Sequence, residues 1–231
     1  MSLIKCENLS KNFGKIEAIK EVNLQIEKGK IIGLLGVNGS GKTTLIKLLN
    51  DLLRPTSGKV TINNLKPGIE SKKIISYLPE KTYLDINMTV DEAIAYFKDF
   101  YKDFDQDKVY RILSQMQIAT NLKMKTLSKG TKEKVQLALV MSRQADLYIL
   151  DEPIGGVDPA SRDFIIKTIL NNFYEEATLL ISTHLIADIE AILDEVIFIS
   201  NGSIILHDEA DKLRVEHKMS IDSLFREEFK C

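Results

Sequence analysis

A glycine-rich loop in the first quarter of the 231-residue chain limits its fold more than any other feature. The loop follows the short apolar run Ile31–Leu35 and precedes a helical pattern of leucines and isoleucines from Leu45 to Leu52. An apolar run of this length is typical of a strand buried in a parallel sheet. The loop matches the pattern G-x-x-x-x-G-K-[ST] in full. Its residues are Gly36, Val37, Asn38, Gly39, Ser40, Gly41, Lys42 and Thr43, and Thr44 follows.

The residue types of this loop predict a phosphate-binding site. Glycines let the backbone curl so that successive N–H groups point inward at phosphate oxygens. The N-terminus of the following helix adds a partial positive charge. We expect Lys42 to reach the β- and γ-phosphates of a nucleotide, Thr43 to bind Mg²⁺, and Thr44 to contact the nucleotide as well. A glycine-rich turn is the alternative, but a chance match is on the order of one in a hundred.

Strands alternate with helices along most of the chain, and this order favours a mainly parallel sheet with helices on both faces. We predict an α/β fold of the P-loop NTPase type, with an N-terminal antiparallel β sub-domain and an inserted helical sub-domain. The predicted core comprises residues 1–80 and 134–231, and residues 81–133 form the predicted insertion, where no strand is evident. A hairpin is predicted around Asn201-Gly202, and a helical tail over residues 209–231.

Charge and composition argue against several classes of protein. The formal net charge is −2, so the total charge gives no attraction for nucleic acid or for an anionic membrane surface. No apolar run approaches the roughly 18 residues of a membrane span, and no signal peptide is evident at the N-terminus. The two cysteines, Cys6 and Cys231, form neither a disulfide framework nor a metal-binding pattern. We expect a protein of a reducing compartment that reaches a membrane only through a partner.

An acidic pair follows the predicted buried strand Leu147–Leu150. Because ligands of such sheets bind at the carboxyl ends of the strands, Asp151 is predicted to hold Mg²⁺, directly or through water. Glu152 is placed to polarise an attacking water as a general base. A strand that ends in Asp-Glu is common, so this pair is a specific signal only as the partner of the phosphate loop.

The segment Leu127-Ser128-Lys129-Gly130-Thr131 resembles the signature of ATP-binding cassette (ABC) transporters, usually Leu-Ser-Gly-Gly-Gln. With the phosphate loop and the acidic pair, nearly the whole chain resembles the nucleotide-binding subunit of this family, in the family's motif order. The resemblance implies that Ser128, Lys129 and Gly130 cap the γ-phosphate bound to the opposite subunit. A lysine beside a helix N-terminus should add attraction for an anion. Simple helix capping by the serine or the threonine is the alternative.

Three further residues take their expected roles from the same resemblance. Asp158 matches the D-loop aspartate that contacts the second subunit, although helix capping with Pro159 in the first turn explains it equally well. His184 matches the switch histidine at the γ-phosphate, and a structural role is the alternative for a lone histidine. Phe13 matches the aromatic residue that stacks on adenine, and packing is its alternative. The chain also lacks the Asn-Lys-x-Asp motif that reads guanine, which favours ATP.

Glu80 is the main departure from the family pattern, which usually has glutamine at this position. In the family this side chain touches Mg²⁺ and the lytic water, at the hinge to the helical sub-domain. A carboxylate is also a hard oxygen ligand, so we expect Glu80 still to bind the ion. It lacks an amide donor, however, and adds negative charge near the γ-phosphate. Gly155 departs as well, because serine is usual at that position of the D-loop.

The resemblance implies an ATPase that uses ATP and Mg²⁺, with Glu152, His184 and Lys42 as its catalytic residues. Two copies, or this chain and a related ATPase, would close head-to-tail around two ATP molecules and drive a transmembrane permease. The expected location is the cytoplasmic face of the cell membrane, with no nucleic-acid partner. The tail Ser220–Phe225 is similar to the endings of exporter-type subunits, which favours export.

Two other interpretations stay open. One is a soluble ABC ATPase that acts on ribosomes or DNA, although such proteins usually carry two cassettes or a long coiled-coil insertion, and this chain has neither. The other is a degenerate cassette that binds ATP without hydrolysing it. Glu152 and His184 argue against that interpretation, whereas Glu80 and Gly155 leave it open.

Overall fold

The computed structural model describes residues 2–229, which fold into two sheets with helices around them. The strands are β1 (Ser2–Phe13), β2 (Ile16–Glu27), β3 (Ile31–Leu35), β4 (Ser57–Ile62), β5 (Ile75–Leu78), β6 (Leu147–Asp151), β7 (Thr178–Thr183), β8 (Glu195–Ser200) and β9 (Ser203–Glu209). The helices are α1 (Lys42–Leu49), α2 (Ile69–Lys73), α3 (Val90–Phe100), α4 (Gln106–Gln115), α5 (Lys129–Met141), α6 (Pro159–Asn172), α7 (Ile186–Ile189), α8 (Ala210–His217) and α9 (Ile221–Phe229). Cys231 and the end of the predicted tail lie outside the described residues.

The larger sheet has the strand order β5-β6-β7-β3-β8-β9. Its first five strands are parallel, and β9 returns antiparallel to β8. Strands β6 and β7 are buried along their whole length, which explains why they are continuous apolar runs. Asn201 and Gly202, with φ of 47° and 81°, form the predicted two-residue hairpin. The sheet confirms the predicted α/β fold class.

The smaller sheet is antiparallel, with the order β2-β1-β4, as predicted for the N-terminal sub-domain. Its apolar side chains share one core with α1 and with one face of the larger sheet. The other face of the larger sheet packs against the helices in a second core. In β3, Leu34 belongs to the first core and Leu35 to the second, because successive side chains of a strand point to opposite faces. The larger sheet is therefore covered on both sides.

Helices occupy the described residues between β5 and β6, and strand pairing there is limited to isolated bridges. Thr89 and Glu92 form a capping box at the start of α3, and Asp105 caps α4. Helix α5 runs through positions 133 and 134, where the sequence divides the insertion from the core. The residues of α5 are buried continuously only from Val135 onward. The burial pattern therefore changes at this residue, although the helix itself is uninterrupted. The division into sub-domains at this point stays a prediction.

Two local features differ from simple periodicity. Helix α2 has only five residues, too few to give a helical repeat in the sequence. The apolar residues between Leu185 and Ile192 are spaced as in one helix, but the structure has a four-residue α7 followed by a 3₁₀ turn over Glu190–Ile192, a common way for a helix to end. At the tail, the Phe225 ring of α9 packs on Phe198 of β8, with ring centres 5.4 Å apart. Within residues 2–229, no helix is both long enough and apolar enough to cross a membrane.

The buried guanidinium of Arg143 joins the helical segment to the larger sheet. Its side chain follows α5 and is only 2% exposed as a residue. It donates hydrogen bonds to both carboxylate oxygens of Asp103, at 3.0–3.2 Å. It also donates to the backbone carbonyls of Lys73, at the end of α2, and of Ile75, at the start of β5. The ring centre of Tyr101 lies 3.8 Å from the guanidinium carbon. One buried cation therefore satisfies acceptors from two separate segments.

Replacement of Arg143 by leucine should lower the free energy of unfolding by about 3 kcal/mol, because it leaves a carboxylate and several carbonyls without their donor. Urea denaturation followed by circular dichroism measures this loss. Arg226→Leu is the matched control, since Arg226 pairs with Asp222 at the surface and should matter by less than about 0.5 kcal/mol. Equal losses in the two variants would contradict the role of Arg143 as a joint.

Candidate active site

The carboxyl ends of β3, β6 and β7 lie side by side and carry most of the predicted site residues. In the parallel ladders, Leu35 pairs with Thr183, and Asp151 pairs with Ser182. The phosphate loop follows β3, Asp151 ends β6, and His184 follows β7. Parallel strands deliver these residues to one edge of the sheet, which is where ligands bind in such folds.

Backbone geometry at two glycines sets the shape of the phosphate loop. Gly41 has a φ of 113°, and a Cβ at this position would lie 2.8 Å from the carbonyl oxygen of Ala18. A Cβ at Gly36 would lie 2.5 Å from the carbonyl oxygen of Ile199. Gly41 is also the N-cap of α1 and offers no side-chain acceptor. The first N–H groups of that helix are therefore available to an anion.

Lys42 is buried in the loop and lies against the acidic pair. Its Nζ donates hydrogen bonds to the carbonyl oxygens of Gly36, at 2.7 Å, and Val37, at 3.3 Å. The same Nζ lies 3.5 Å from Oε1 of Glu152. The loop thus holds a lysine that is only 5% exposed, and the partners of its ammonium group are one carboxylate and two neutral carbonyls.

The surroundings of Asp151 fit a divalent cation. Its Oδ1 accepts a hydrogen bond from Ser182 Oγ at 2.5 Å and one from Thr43 Oγ1 at 3.4 Å, whereas the buried Oδ2 has no partner. Burial raises the pKa of Asp151, the two hydroxyls lower it, and the charges of Glu152 and Glu80 raise it. A cation at Oδ2 would offset the cost of burying this charge.

No group of three or more His, Cys, Asp or Glu side chains in the described part of the chain could hold a metal ion. Mg²⁺ commonly takes one or two carboxylates together with phosphate oxygens and water. Asp151 and Thr43 therefore fit an ion that arrives with a nucleotide. Glu80 is an exposed residue that lines the same cleft.

Glu152 and His184 are held together beside Lys42. The backbone N–H of Glu152 donates to the carbonyl oxygen of Ser182 at 3.0 Å, and its φ of 52° is left-handed, which is uncommon outside glycine. Its Oε2 lies 3.0 Å from Nδ1 of His184. Lys42, Glu152 and His184 therefore form a continuous chain of polar contacts at the open end of the sheet.

A cleft of about 1040 Å³ runs along this edge, a volume sufficient for a nucleotide. Ile16, Glu17 and Ala18 line one end of it, whereas Phe13 is not part of its lining. The Phe13 ring is half-exposed, with Lys11 Nζ 5.1 Å from its centre, and its stacking role stays a prediction. The predicted site residues in the lining are Asn38, Gly39, Ser40, Gly41, Lys42, Thr43, Thr44, Glu80, Lys129, Asp151, Glu152 and His184.

The signature residues border a second, smaller depression of about 270 Å³, together with Asp158. Ser128 and Gly130 line only this depression, whereas Lys129 borders both it and the larger cleft. Within one chain, the phosphate loop and Ser128 therefore belong to different pockets.

The capping roles considered for the serine and the aspartate are both present. Ser128 Oγ accepts a hydrogen bond from the Thr131 N–H at the start of α5, and Asp158 Oδ1 accepts one from the Ser161 N–H at the start of α6, each at 3.1 Å. The Lys129 side chain is 87% exposed, with Glu133 at 3.8 Å. A cation at this end of a helix opposes the helix dipole unless an anion is near.

Sequence reasoning missed two residues of the site, one that supports the acidic pair and one that lines the cleft. The Ser182 hydroxyl donates a hydrogen bond to Asp151, and the Ser182 carbonyl accepts one from the N–H of Glu152. Its indication in the sequence was a polar residue near the end of an apolar strand. Gln136 lies on α5, is 2% exposed and lines the cleft. One glutamine in a helical pattern is typical of a solvent-facing position, so nothing in the sequence marked it.

Known proteins with similar sequences and structures match most of the chain. The family model described as ABC transporter matches residues 19–155. A putative ABC transporter ATP-binding protein of Methanosarcina mazei is 34% identical over 82% of this chain and 69% of its own. The SkfA peptide export ATP-binding protein SkfE of Bacillus subtilis is 31% identical over 88% of each chain. A solved structure of an ATP binding subunit of an ABC transporter has a TM-score of 0.86 and 26% identity, covering 97% of this chain and 98% of the other.

Gly36→Ala should weaken ATP binding by about tenfold or more, because the new Cβ collides with backbone and must displace the loop. Isothermal titration calorimetry measures the dissociation constant. Gly68→Ala is the control, since the nearest atom to a Cβ there is 3.9 Å away. Unchanged affinity in both variants would show that the loop tolerates the displacement.

Asp151→Asn should raise the free energy of unfolding of the ligand-free chain at pH 7 by about 1 kcal/mol, because the amide is uncharged. The raised native pKa of Asp151 means that the wild type loses stability as pH rises from the ordinary aspartate value through the native one. Above the native pKa of Asp151 the loss of stability is complete. The Asp151→Asn variant should not show this pH dependence of the free energy of unfolding.

Chemical denaturation across the acidic and neutral range tests this expectation. Asp146→Asn, at an exposed carboxylate, is the control and should leave the stability curve as it is. A less stable Asp151→Asn chain would mean that the native structure needs the negative charge even without a ligand.

Proposed function

Because the chain belongs to the ABC transporter family of ATP-binding proteins, we propose that it is the ATPase subunit of an ABC transporter. In this proposal the chain binds ATP in its cleft, hydrolyses it with a bound Mg²⁺ and transmits the resulting motion to a separate transmembrane permease. The observation that carries the proposal is the convergence of Lys42, Glu152 and His184 beside Asp151.

Lys42 is the residue that would respond first to the nucleotide. Its Nζ is bound to the carbonyls of Gly36 and Val37 and faces Glu152. Phosphate is a stronger partner for an ammonium group than a neutral carbonyl. Lys42 therefore turns to the β- and γ-phosphates and releases Glu152.

Glu152 is the proposed general base. Once free of Lys42, its carboxylate accepts the proton of the attacking water. His184 Nδ1 lies 3.0 Å from Oε2 of this carboxylate, where it keeps the base oriented, and its proposed partner in the nucleotide is the γ-phosphate. The left-handed backbone of Glu152 fixes the direction in which the side chain leaves the strand.

Asp151 and Thr43 are the proposed protein ligands of Mg²⁺, with Glu80 as the third. When bound, the ion supplies positive charge that stabilises the phosphoryl group in the transition state. Ser182 keeps Asp151 Oδ1 occupied, so the unpaired Oδ2 is the atom left for the ion.

The hydrolytic site is proposed to be shared between two subunits. Ser128, Gly130 and Asp158 border a pocket that the phosphate loop of the same chain does not enter. A second copy or a related ATPase, turned head-to-tail, would bring its Ser128 and Lys129 to the γ-phosphate, and closed two-fold pairing gives two such sites. Lys129 would then gain the anion that its position at a helix N-terminus favours.

Export is the proposed direction of transport, at the cytoplasmic face of the membrane. The support is the similarity to the peptide export protein SkfE and the exporter-like tail at Ser220–Phe225. The permease is proposed to dock around Glu80–Thr89, a segment in which Tyr83 and Ile86 are more than half-exposed.

Glu152→Gln tests the chemistry, because the amide keeps the shape of the side chain but accepts no proton. We expect the ATPase rate to fall by about 100-fold or more while ATP still binds. Phosphate release and calorimetry measure the two quantities. Equal rates in wild type and variant would remove Glu152 from the mechanism.

Complementation tests the shared site. Lys42→Ala and Ser128→Arg should each be nearly inactive alone, yet a mixed dimer keeps one intact site. A one-to-one mixture should recover about a quarter of the wild-type rate if subunits assort randomly and the sites act independently. A mixture no more active than its components would contradict a site built from two chains.

A further inference from the structure

Unpaired polar atoms are concentrated at the cleft. In the described residues, four buried side-chain N or O atoms have no hydrogen-bond partner, and three of them belong to residues that line the cleft. Two are Ser40 Oγ in the phosphate loop and Asp151 Oδ2 at the proposed metal site, where a nucleotide and its ion would serve them. The third is Oε1 of Gln136, which has no role in the mechanism above. An acceptor buried without a donor costs stability, so a donor brought within reach of Oε1 would be stabilising.

Helix α5 places Gln136 beside the end of β5. The Ser76 hydroxyl of β5 donates to the carbonyl oxygen of Val140 at 2.7 Å, which ties the strand to the helix. From Ser76 to Leu78 the strand advances about 6.6 Å, and from Val140 back to Gln136 the helix spans about 6 Å. Leu78 and Leu137 line the same cleft, in agreement with this alignment. Gln136 therefore lies near the point where the chain leaves β5 for Glu80.

We propose that Gln136 is a positioning residue for ATP hydrolysis. Its Oε1 accepts a hydrogen bond from the loop 79–82 when the cleft closes on the nucleotide, and this bond fixes Glu80. Lys81 and Thr82 carry the side-chain donors of that loop, and both line the cleft with Gln136. The inference rests on the proposed function, because Glu80 needs positioning only if the cleft hydrolyses ATP.

The same bond would connect two sites of the proposed dimer. Ser128 caps α5, and Gln136 lies two turns further along this helix, about 12 Å from its start. A hydrogen bond between Gln136 and the loop 79–82 would connect Glu80 of one site to helix α5. The same helix presents Ser128 to the other site. A helix transmits such a displacement as a rigid element.

Gln136→Met tests the inference, because methionine has nearly the same shape and no hydrogen-bond acceptor of comparable strength. We expect kcat to fall by about tenfold, with the ATP dissociation constant unchanged within about twofold. The thermal midpoint of the ligand-free chain should be equal or higher, because the unpaired acceptor is gone. Gln115→Met, at an exposed glutamine ending α4, is the matched control and should change neither quantity.

A double-mutant cycle with Glu80→Ala decides whether Gln136 acts through Glu80. In the Glu80→Ala background, Gln136→Met should lower kcat no further, because the group it positions is already absent. An unchanged kcat in the single variant, or the same fold-loss in both backgrounds, would overturn the proposal. A parallel loss of ATP affinity would also overturn it, because it indicates a structural role. Gln136→Ala repeats the cycle if the methionine variant does not fold.

Wild-type turnover is measured first, so that two failures stay distinguishable. A wild type without ATPase activity would count against the proposed function. An active wild type together with a Gln136→Met variant of unchanged kcat would count against the role of Gln136 alone.

Discussion

The parallel register of β3, β6 and β7 is the constraint on which the site depends. Backbone ladders hold Leu35 opposite Thr183 and Asp151 opposite Ser182, and each strand end contributes one part of the site. A slip by one residue would turn Asp151 away from the cleft, because side chains alternate along a strand. Both faces of this sheet are buried, so the register is strongly specified by packing. Packing of the apolar core thus fixes the positions of the polar groups at the ends of the strands.

Several features that cost stability occur at the cleft, although left-handed non-glycine residues are also found elsewhere in the described chain. Glu152 is left-handed, Asp151 is a buried carboxylate with a raised pKa, and Ser40, Asp151 and Gln136 carry unpaired buried atoms. The buried charge and the unpaired buried atoms are unfavourable by themselves and suit a bound phosphate, an ion or a closing loop. Elsewhere a group as demanding as the Arg143 guanidinium is fully supplied with acceptors. Arg143 thus stabilises the fold, whereas the unpaired groups at the cleft are suited to binding a ligand.

Helix α5 takes part in several functions at once. Its N-terminus carries the signature residues, its middle lines the cleft through Gln136, and its C-terminal half is buried against the sheet and neighbouring helices. Arg143 follows directly and ties its end to β5 and to Asp103. A helix fixed at one end and exposed at the other is suited to carry a movement from one pocket to the next, because it is rigid along its axis.

The sequence by itself determined the order of strands and helices, the phosphate loop and the acidic pair Asp151-Glu152, because these follow from local periodicity and short motifs. It did not reveal the five-residue α2, the contacts of Ser182 with the acidic pair, or the position of Gln136 in the cleft. Only the tertiary structure gave Arg143 its partners. These features depend on contacts between segments far apart in the chain, and neither a helical repeat nor a motif records which distant residue a side chain will meet.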